Sequence, residues 1–195
     1  MTRSFGAAMA AVTLAGATLL ASGSGARAEF FDTRELFGTG PNYYQSGASP
    51  IPRETVMYPG NYAPGTIVVN TAERRLYLVL GNGEALRYGI GVGRDGFRWG
   101  GVHRITAKKE WPDWTPPSQM LRRRPDLPRH MRGGIENPLG ARALYLGSTL
   151  YRIHGSNEPE TIGHAVSSGC FRMTNEDVTD LYNRVSVGAT VIVKN

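Results

Sequence analysis

The chain has 195 residues, of which 41% are apolar, so it can form one domain of ordinary size with an extension and is not wholly disordered. Its 22 Lys and Arg against 16 Asp and Glu give a net charge of +6, but no basic stripe of the nucleic-acid-binding kind is visible. Cys170 is the only cysteine, which excludes an internal disulfide and a zinc site built from several cysteines, and 25 glycines with 12 prolines favour a turn-rich, strand-rich fold.

The first 28 residues have the pattern of a cleaved signal peptide. Arg3 supplies the positive start, an uncharged and largely apolar stretch follows, and Ala26-Arg27-Ala28 matches the small-x-small cleavage pattern. An uncleaved membrane anchor is the alternative, but Ala, Gly, Ser and Thr dominate the stretch, which makes it a poor spanning helix. We predict export to the periplasm with cleavage after Ala28, which removes Arg3 and Arg27 and lowers the charge from +6 to +4.

Residues 29–65 show no sustained hydrophobic period and are rich in Gly, Pro, Ser, Asn and Tyr. This composition is typical of a linker or of an arm that lies on a domain. We expect regular structure to begin at Thr66 and residues 66–195 to form one folded domain.

Short apolar and alternating runs predict strands along this domain. In the predicted strand at residues 75–80, Leu76, Leu78 and Leu80 are expected on one face. The Gly81-Asn82-Gly83 turn leads from it into the next predicted strand, at residues 84–90. The predicted strands are residues 66–70, 75–80, 84–90, 102–107, 142–146, 150–154 and 189–193.

One helix is predicted at residues 175–187. Its apolar residues recur at helical spacing, Thr174 can cap its start, and Gly188 follows its end. The predicted fold class is therefore mainly β with one clear helix (α+β).

Residues 111–138 form an insert that holds six of the twelve prolines and five arginines. Proline at this density excludes a strand or a long helix. The insert is either a solvated loop or a lid over a binding cleft, and we favour the lid because long ordered loops in compact domains are usually functional. Trp111 and Trp114 would anchor such a lid by packing.

Cys170 is either a small buried apolar residue or a nucleophile retained in an oxidising compartment. Gly169 permits a tight turn whose amides can face an oxyanion, and the nearby helix N-terminus favours a thiolate. His154, sixteen residues upstream at a strand end, is the preferred base, and His164 in a loop is the alternative. A zinc site on these three side chains lacks a visible fourth ligand, so no metal is expected.

The segment I-H-G-S-N-x-P-x-x-I-G-x-x-V-S-S-G-C-F-R-M-x-N-x-D-V-x-x-L-Y, residues 153–182, resembles the L,D-transpeptidase catalytic domain, also called the YkuD domain. Upstream segments are similar to the same family: IVVNTAERRLYLVL, GIGVGRDG, WTPP and NPLGxR. The resemblance extends over about residues 66–193. It implies a β-sandwich-like catalytic domain at residues 66–195, with a cysteine nucleophile that acts on bacterial peptidoglycan.

By this resemblance Cys170 is the nucleophile, and His154 activates it. Gly155 offers the backbone carbonyl that orients the histidine, and the amides of Gly169 and Cys170 stabilise the oxyanion. Arg172 matches a basic position near the site that could bind a stem-peptide carboxylate.

The chain departs from the family at Ser168. The family usually has Ser/Thr-His-Gly-Cys, so a second imidazole beside the nucleophile is absent here and proton transfer falls to His154. The segment RDGFRWGGVHRI also replaces the usual Pro-Thr-Gly sequence.

The resemblance implies a transferase that forms 3→3 cross-links between stem peptides through a thioester, needs no cofactor and is a carbapenem target in cell-wall biogenesis. Three alternatives remain: hydrolysis of the same thioester, transfer to an outer-membrane protein, or a module that only binds peptidoglycan. The expected partners are peptidoglycan stem peptides and, in one alternative, outer-membrane proteins. Neither nucleic acid nor stable membrane insertion after signal cleavage is expected.

Overall fold

The structure is a computed structural model that describes residues 48–195. The predicted signal peptide and residues 29–47 lie outside the described residues. Within the described part there are eleven strands: β1 (Glu54–Met57), β2 (Ile67–Asn70), β3 (Arg75–Gly81), β4 (Glu84–Gly89), β5 (Val92–Gly93), β6 (Gly101–Glu110), β7 (Arg142–Leu146), β8 (Arg152–His154), β9 (Ala165–Ser167), β10 (Phe171–Arg172) and β11 (Thr190–Lys194). Two α-helices, α1 (Ser118–Arg123) and α2 (Asn175–Arg184), and one 3-10 turn (Pro159–Thr161) accompany them.

Nine of these strands form one sheet in the order β1-β4-β3-β2-β11-β6-β7-β8-β10, and β5 pairs with β9. The ten-residue strand β6 joins the two parts of the sheet, since it pairs with β11 on one side and β7 on the other, with a register shift between Ile105 and Ala107. One hydrophobic core takes side chains from both parts and from α2, among them Ile67, Leu144 and Leu181. The prediction of a mainly β fold with one main helix is confirmed.

The sequence periods explain the packing of β2, β3 and β4. Alternate residues such as Ile67 and Leu76 enter the main core, whereas Val68 and Tyr77 belong to a smaller cluster. Leu80 was expected on one face of β3 with Leu76 and Leu78. Those two leucines are buried, whereas Leu80 is 42% exposed. The register shift between Val79 and Gly81 interrupts the alternation there.

The expectation that regular structure begins at Thr66 is wrong. Strand β1 lies upstream and pairs antiparallel with β4, from Glu54 opposite Arg87 to Met57 opposite Glu84. Tyr58 then stacks on Tyr77 with ring centroids 4.5 Å apart, so this segment covers the smaller cluster. A run of four residues is too short to show a hydrophobic period. It becomes a strand only through its pairing with β4, which lies further along the chain.

Helix α2 begins where the sequence predicts. The Thr174 hydroxyl oxygen accepts a hydrogen bond from the Asp177 amide at 3.2 Å, as an N-cap does. The helix ends at Arg184 rather than at residue 187, because Val185 adopts an extended conformation. The insert contains only the six-residue α1, in agreement with its proline content. Over residues 48–195 no helix is long and apolar enough to cross a membrane.

Candidate active site

His154 is the last residue of β8, which lies between β7 and β10. Its side chain is 4% exposed, and its Nδ1 lies 2.5 Å from the carbonyl oxygen of Gly155. Because a carbonyl can only accept, this contact requires the proton on Nδ1 and leaves Nε2 free to act as a base. The Gly155 amide donates to the Arg142 carbonyl at 3.0 Å, which anchors the backbone immediately before the carbonyl that contacts the imidazole.

Burial lowers the pKa of His154 to about 3. The Gly155 contact acts in the opposite direction, and the charges of Arg172 and Arg152 lower the pKa further. The imidazole is therefore neutral at pH 7, which is the state a general base needs.

Cys170 follows a turn that only glycine accommodates without strain. Gly169 has a φ of +110°, and a Cβ there would lie 2.4 Å from Cε1 of Tyr151. Tyr151 stacks on Trp99 with centroids 4.4 Å apart, and Trp99 Nε1 donates to the Gly169 carbonyl at 2.6 Å. Two aromatic rings thus hold the turn that carries the thiol.

Burial raises the pKa of the Cys170 thiol, and contacts with Arg152 and the charge of Arg172 oppose this rise. The contribution of the nearby helix N-terminus to thiolate formation stays a prediction, since burial and the two arginines are the causes of the shift in this pKa. Strand β10 separates Cys170 from α2, and burial outweighs the cationic neighbours. A neutral thiol that shares a cavity with a neutral imidazole would have to lose its proton to act as a nucleophile.

The predicted oxyanion turn has two internal hydrogen bonds. The Gly169 amide donates to Ser167 Oγ at 3.1 Å, and the Ser167 hydroxyl donates to the Cys170 carbonyl at 2.6 Å. An oxyanion would have to displace Ser167 to use the Gly169 amide. Nothing in the local sequence distinguishes Ser167 from Ser168 in this respect.

Ser168 and Arg172 are both engaged by other side chains. Ser168 Oγ accepts from Arg123 Nη2 at 3.3 Å. Arg172 Nη1 donates to a Glu158 carboxylate oxygen at 2.6 Å and to the Thr161 hydroxyl at 3.4 Å. A substrate carboxylate at Arg172 would therefore compete with Glu158.

Cys170 and His154 line the same cavity of about 290 Å³, together with Ser168 and Arg172. A second cavity of about 380 Å³ adjoins it, since Ser168, Arg172 and five other residues line both. His164, the alternative base, is exposed and is not among the residues that line either cavity. The structure thus brings His154, rather than His164, to the thiol's cavity.

The insert forms one wall of both cavities. Trp114 lines both and pairs with Met131 across the insert through two backbone hydrogen bonds of 2.8 Å. Trp111 is 42% exposed and is not among the residues that line either cavity. Its backbone amide donates to the Ala141 carbonyl at 2.8 Å. The two tryptophans therefore occupy different places, and of the two only Trp114 lines the cavities.

Sequence reasoning missed Arg152, which lines the cavity beside Cys170. Arg152 Nη2 donates to the Leu150 carbonyl at 3.2 Å, and Cys170 Sγ lies 4.0 Å from the same oxygen. A usable signal existed, because residues two apart on a strand share a face and Arg152 precedes His154 by two. Trp99 gave no such signal, since it is 70 residues from its partner Gly169.

Replacing Arg152 by glutamine is expected to raise the pKa of Cys170 further, because it removes a cation beside the thiol. Iodoacetamide alkylation of Cys170 at a fixed pH below that pKa should then slow about tenfold. The control is Arg129→Gln, which removes an equal charge at an exposed residue of the insert outside both cavity linings. Equal alkylation profiles for both variants would contradict the role of Arg152.

Comparisons with known proteins identify the family. The family model of the L,D-transpeptidase catalytic domain, YkuD, matches residues 64–193. Probable L,D-transpeptidase ErfK/SrfK of Escherichia coli strain K12 is 37% identical over 150 residues, which cover 72% of this chain and 47% of that protein. The chain therefore spans about half the length of the first curated relatives it matches.

Solved structures show the same fold. An L,D-transpeptidase from Mycobacterium smegmatis aligns with a TM-score of 0.55 at 18% identity, over 68% of this chain and 59% of that one. A Brucella melitensis protein named probable carnitine operon oxidoreductase aligns with a TM-score of 0.51 at 46% identity, over 78% of this chain and 99% of that one. In this chain the glycine-rich segment GIGVGRDG leads toward β6, not into the helix that a dinucleotide loop would open. The chain belongs to the L,D-transpeptidase catalytic-domain (YkuD) family.

Proposed function

We propose that this protein is a peptidoglycan L,D-transpeptidase that carries its acyl group as a thioester on Cys170. The observation that supports this most is the shared cavity of Cys170 and His154, with the imidazole oriented by the Gly155 carbonyl so that Nε2 is a free base. Membership of the family supports the same substrate class.

In the proposed reaction the Cys170 sulfur attacks the carbonyl carbon of the third residue of a stem tetrapeptide. The thiol proton passes to His154 Nε2 as the S–C bond forms. Collapse of the tetrahedral intermediate breaks the C–N bond, and His154 gives the proton to the nitrogen of the departing D-alanine. The Cys170 amide, and the Gly169 amide once it leaves Ser167, would stabilise the oxyanion.

An amine then attacks the thioester and releases the thiol. With the side-chain amine of another stem's third residue as acceptor, the product is a 3→3 cross-link. A protein amine would attach an outer-membrane protein to the wall, and water would give a shortened stem. We propose the stem amine as acceptor. The proposed place of action is the periplasm, as supported by the signal-peptide pattern of residues 1–28.

Mass spectrometry of the intact protein and of the muropeptide products, after incubation with a carbapenem and with tetrapeptide muropeptides, tests the proposal. We expect an adduct on Cys170 in the wild type, none in Cys170→Ala, and cross-linked dimers that form only with the wild type. Tripeptide monomers without dimers would instead indicate hydrolysis. Absence of both adduct and product in a folded wild type would leave only a peptidoglycan-binding role.

A further inference from the structure

The cavity that holds the thiol is strongly cationic. Three guanidinium groups line it, those of Arg123, Arg152 and Arg172, and no Asp or Glu is among its described lining residues. A small cavity lined in this way favours an anionic ligand group, because a cleft lined by one sign of charge attracts the opposite sign.

The three arginines differ in what already satisfies them. Arg172 is ion-paired with Glu158 at 2.6 Å. Arg152 is hydrogen-bonded to the Leu150 carbonyl and lies beside the thiol, so an anion there would oppose thiolate formation. Arg123 donates only to the neutral Ser168 hydroxyl and has no carboxylate partner within the described part of the chain. Arg123 is therefore the cavity cation that neither a carboxylate nor the thiol already engages.

Arg123 is also held in place. Its guanidinium lies 5.1 Å from the centroid of the Phe97 ring, in a cation–π contact, while Nη2 is bonded to Ser168 at 3.3 Å. Ser168 precedes Cys170 by two residues, and consecutive Cα atoms are about 3.8 Å apart, so the two Cα atoms lie within about 7.6 Å of each other. A group bound to Arg123 would therefore lie close to the Cys170 thiol.

We propose that Arg123, which belongs to the insert, recognises a free carboxylate of the acyl-donor stem peptide and so determines substrate specificity. This inference rests on the proposed function, and it moves to Arg123 the role that the sequence analysis gave to Arg172. Two carboxylates of a stem could supply the ligand: that of the C-terminal residue and one on the side chain of the third residue. Both present the same planar anion, which a guanidinium binds with two parallel hydrogen bonds.

The test uses four synthetic tetrapeptides that carry either carboxylate or its carboxamide at each of the two positions. Acylation of Cys170 is measured as kcat/KM for wild type, Arg123→Gln and Arg123→Lys. Arg122→Gln is the matched control, because Arg122 lies on the same helix α1 and is exposed like Arg123, but it is not among the residues lining either cavity. Binding of the same peptides to Cys170→Ala and to Cys170→Ala/Arg123→Gln is measured by calorimetry.

We expect Arg123→Gln to lower kcat/KM for the dicarboxylate peptide about 10- to 100-fold. The loss should disappear with the peptide whose relevant carboxylate is amidated, which identifies that carboxylate. Arg123→Lys should recover part of the activity, and Arg122→Gln should match wild type.

An equal loss on all four peptides, or no loss on any, would overturn the proposal and leave the transpeptidase assignment intact. Failure of the wild type to acylate any peptide would contradict the proposed function instead. The calorimetric comparison still decides the role of Arg123 in that case, since it requires no chemistry.

Discussion

Replacing His154 by alanine is expected to slow acylation of Cys170 about 10²- to 10⁴-fold, the range that a lost general base or acid usually costs. The effect should be near the upper end of this range, because burial keeps the thiol protonated. In addition, Ser168 occupies the position where the family usually has a second histidine, and a serine hydroxyl cannot act as the base in place of His154. The rate of adduct formation with a carbapenem, followed by mass spectrometry, measures it.

The control is His164→Ala, which removes an exposed histidine outside both cavity linings and should acylate like wild type. The pH dependence gives a second reading. Since the pKa of His154 is lowered to about 3, protonation of the imidazole should cost the wild type no acylation rate between about pH 5 and pH 7. A loss with a midpoint near 6.5, or a loss in His164→Ala equal to that in His154→Ala, would contradict this assignment.

The parts of the fold that the sequence predicts are those whose signal is local. Thr174 and the apolar stripe after it mark helix α2, and alternating runs mark most strands of the large sheet. Strand β1 was missed because its four residues become a strand only through pairing with β4. The exposure of Leu80 was missed for a similar reason, since a register shift against a partner strand has no counterpart in a single-strand pattern.

The site residues also fall into two groups, those with a local sequence signal and those without one. Cys170, His154 and Gly155 lie in one continuous motif, and the structure places the first two in one cavity. Arg123 and Trp99 reach the site from 45 and 70 residues away in sequence. Their positions depend on how the insert and the loop before β6 fold back on the sheet, which no spacing within either segment encodes.

Replacing Gly169 by alanine is expected to lower acylation by about 100-fold, the cost of moving a reacting group by about 1 Å. Two independent effects act at this position. A φ of +110° is strained for any residue with a Cβ, and the new methyl group would lie 2.4 Å from Tyr151 Cε1. The ring cannot retreat easily, because it stacks on Trp99, which is itself hydrogen-bonded to the Gly169 carbonyl. The turn must therefore move, and Cys170 moves with it.

Gly188→Ala separates these two effects. Gly188 has a φ of +96°, but a Cβ there meets nothing within 4 Å, so its substitution carries backbone strain alone, about 1–3 kcal/mol. We expect a lower urea midpoint for Gly188→Ala with acylation unchanged, and for Gly169→Ala a loss of acylation at temperatures where the protein is still folded. If the two variants lose stability equally and Gly169→Ala still acylates normally, the contact with Tyr151 does not position the nucleophile. Loss of acylation in Gly169→Ala that is partly restored by Tyr151→Ala would instead identify the ring as the group that fixes the turn.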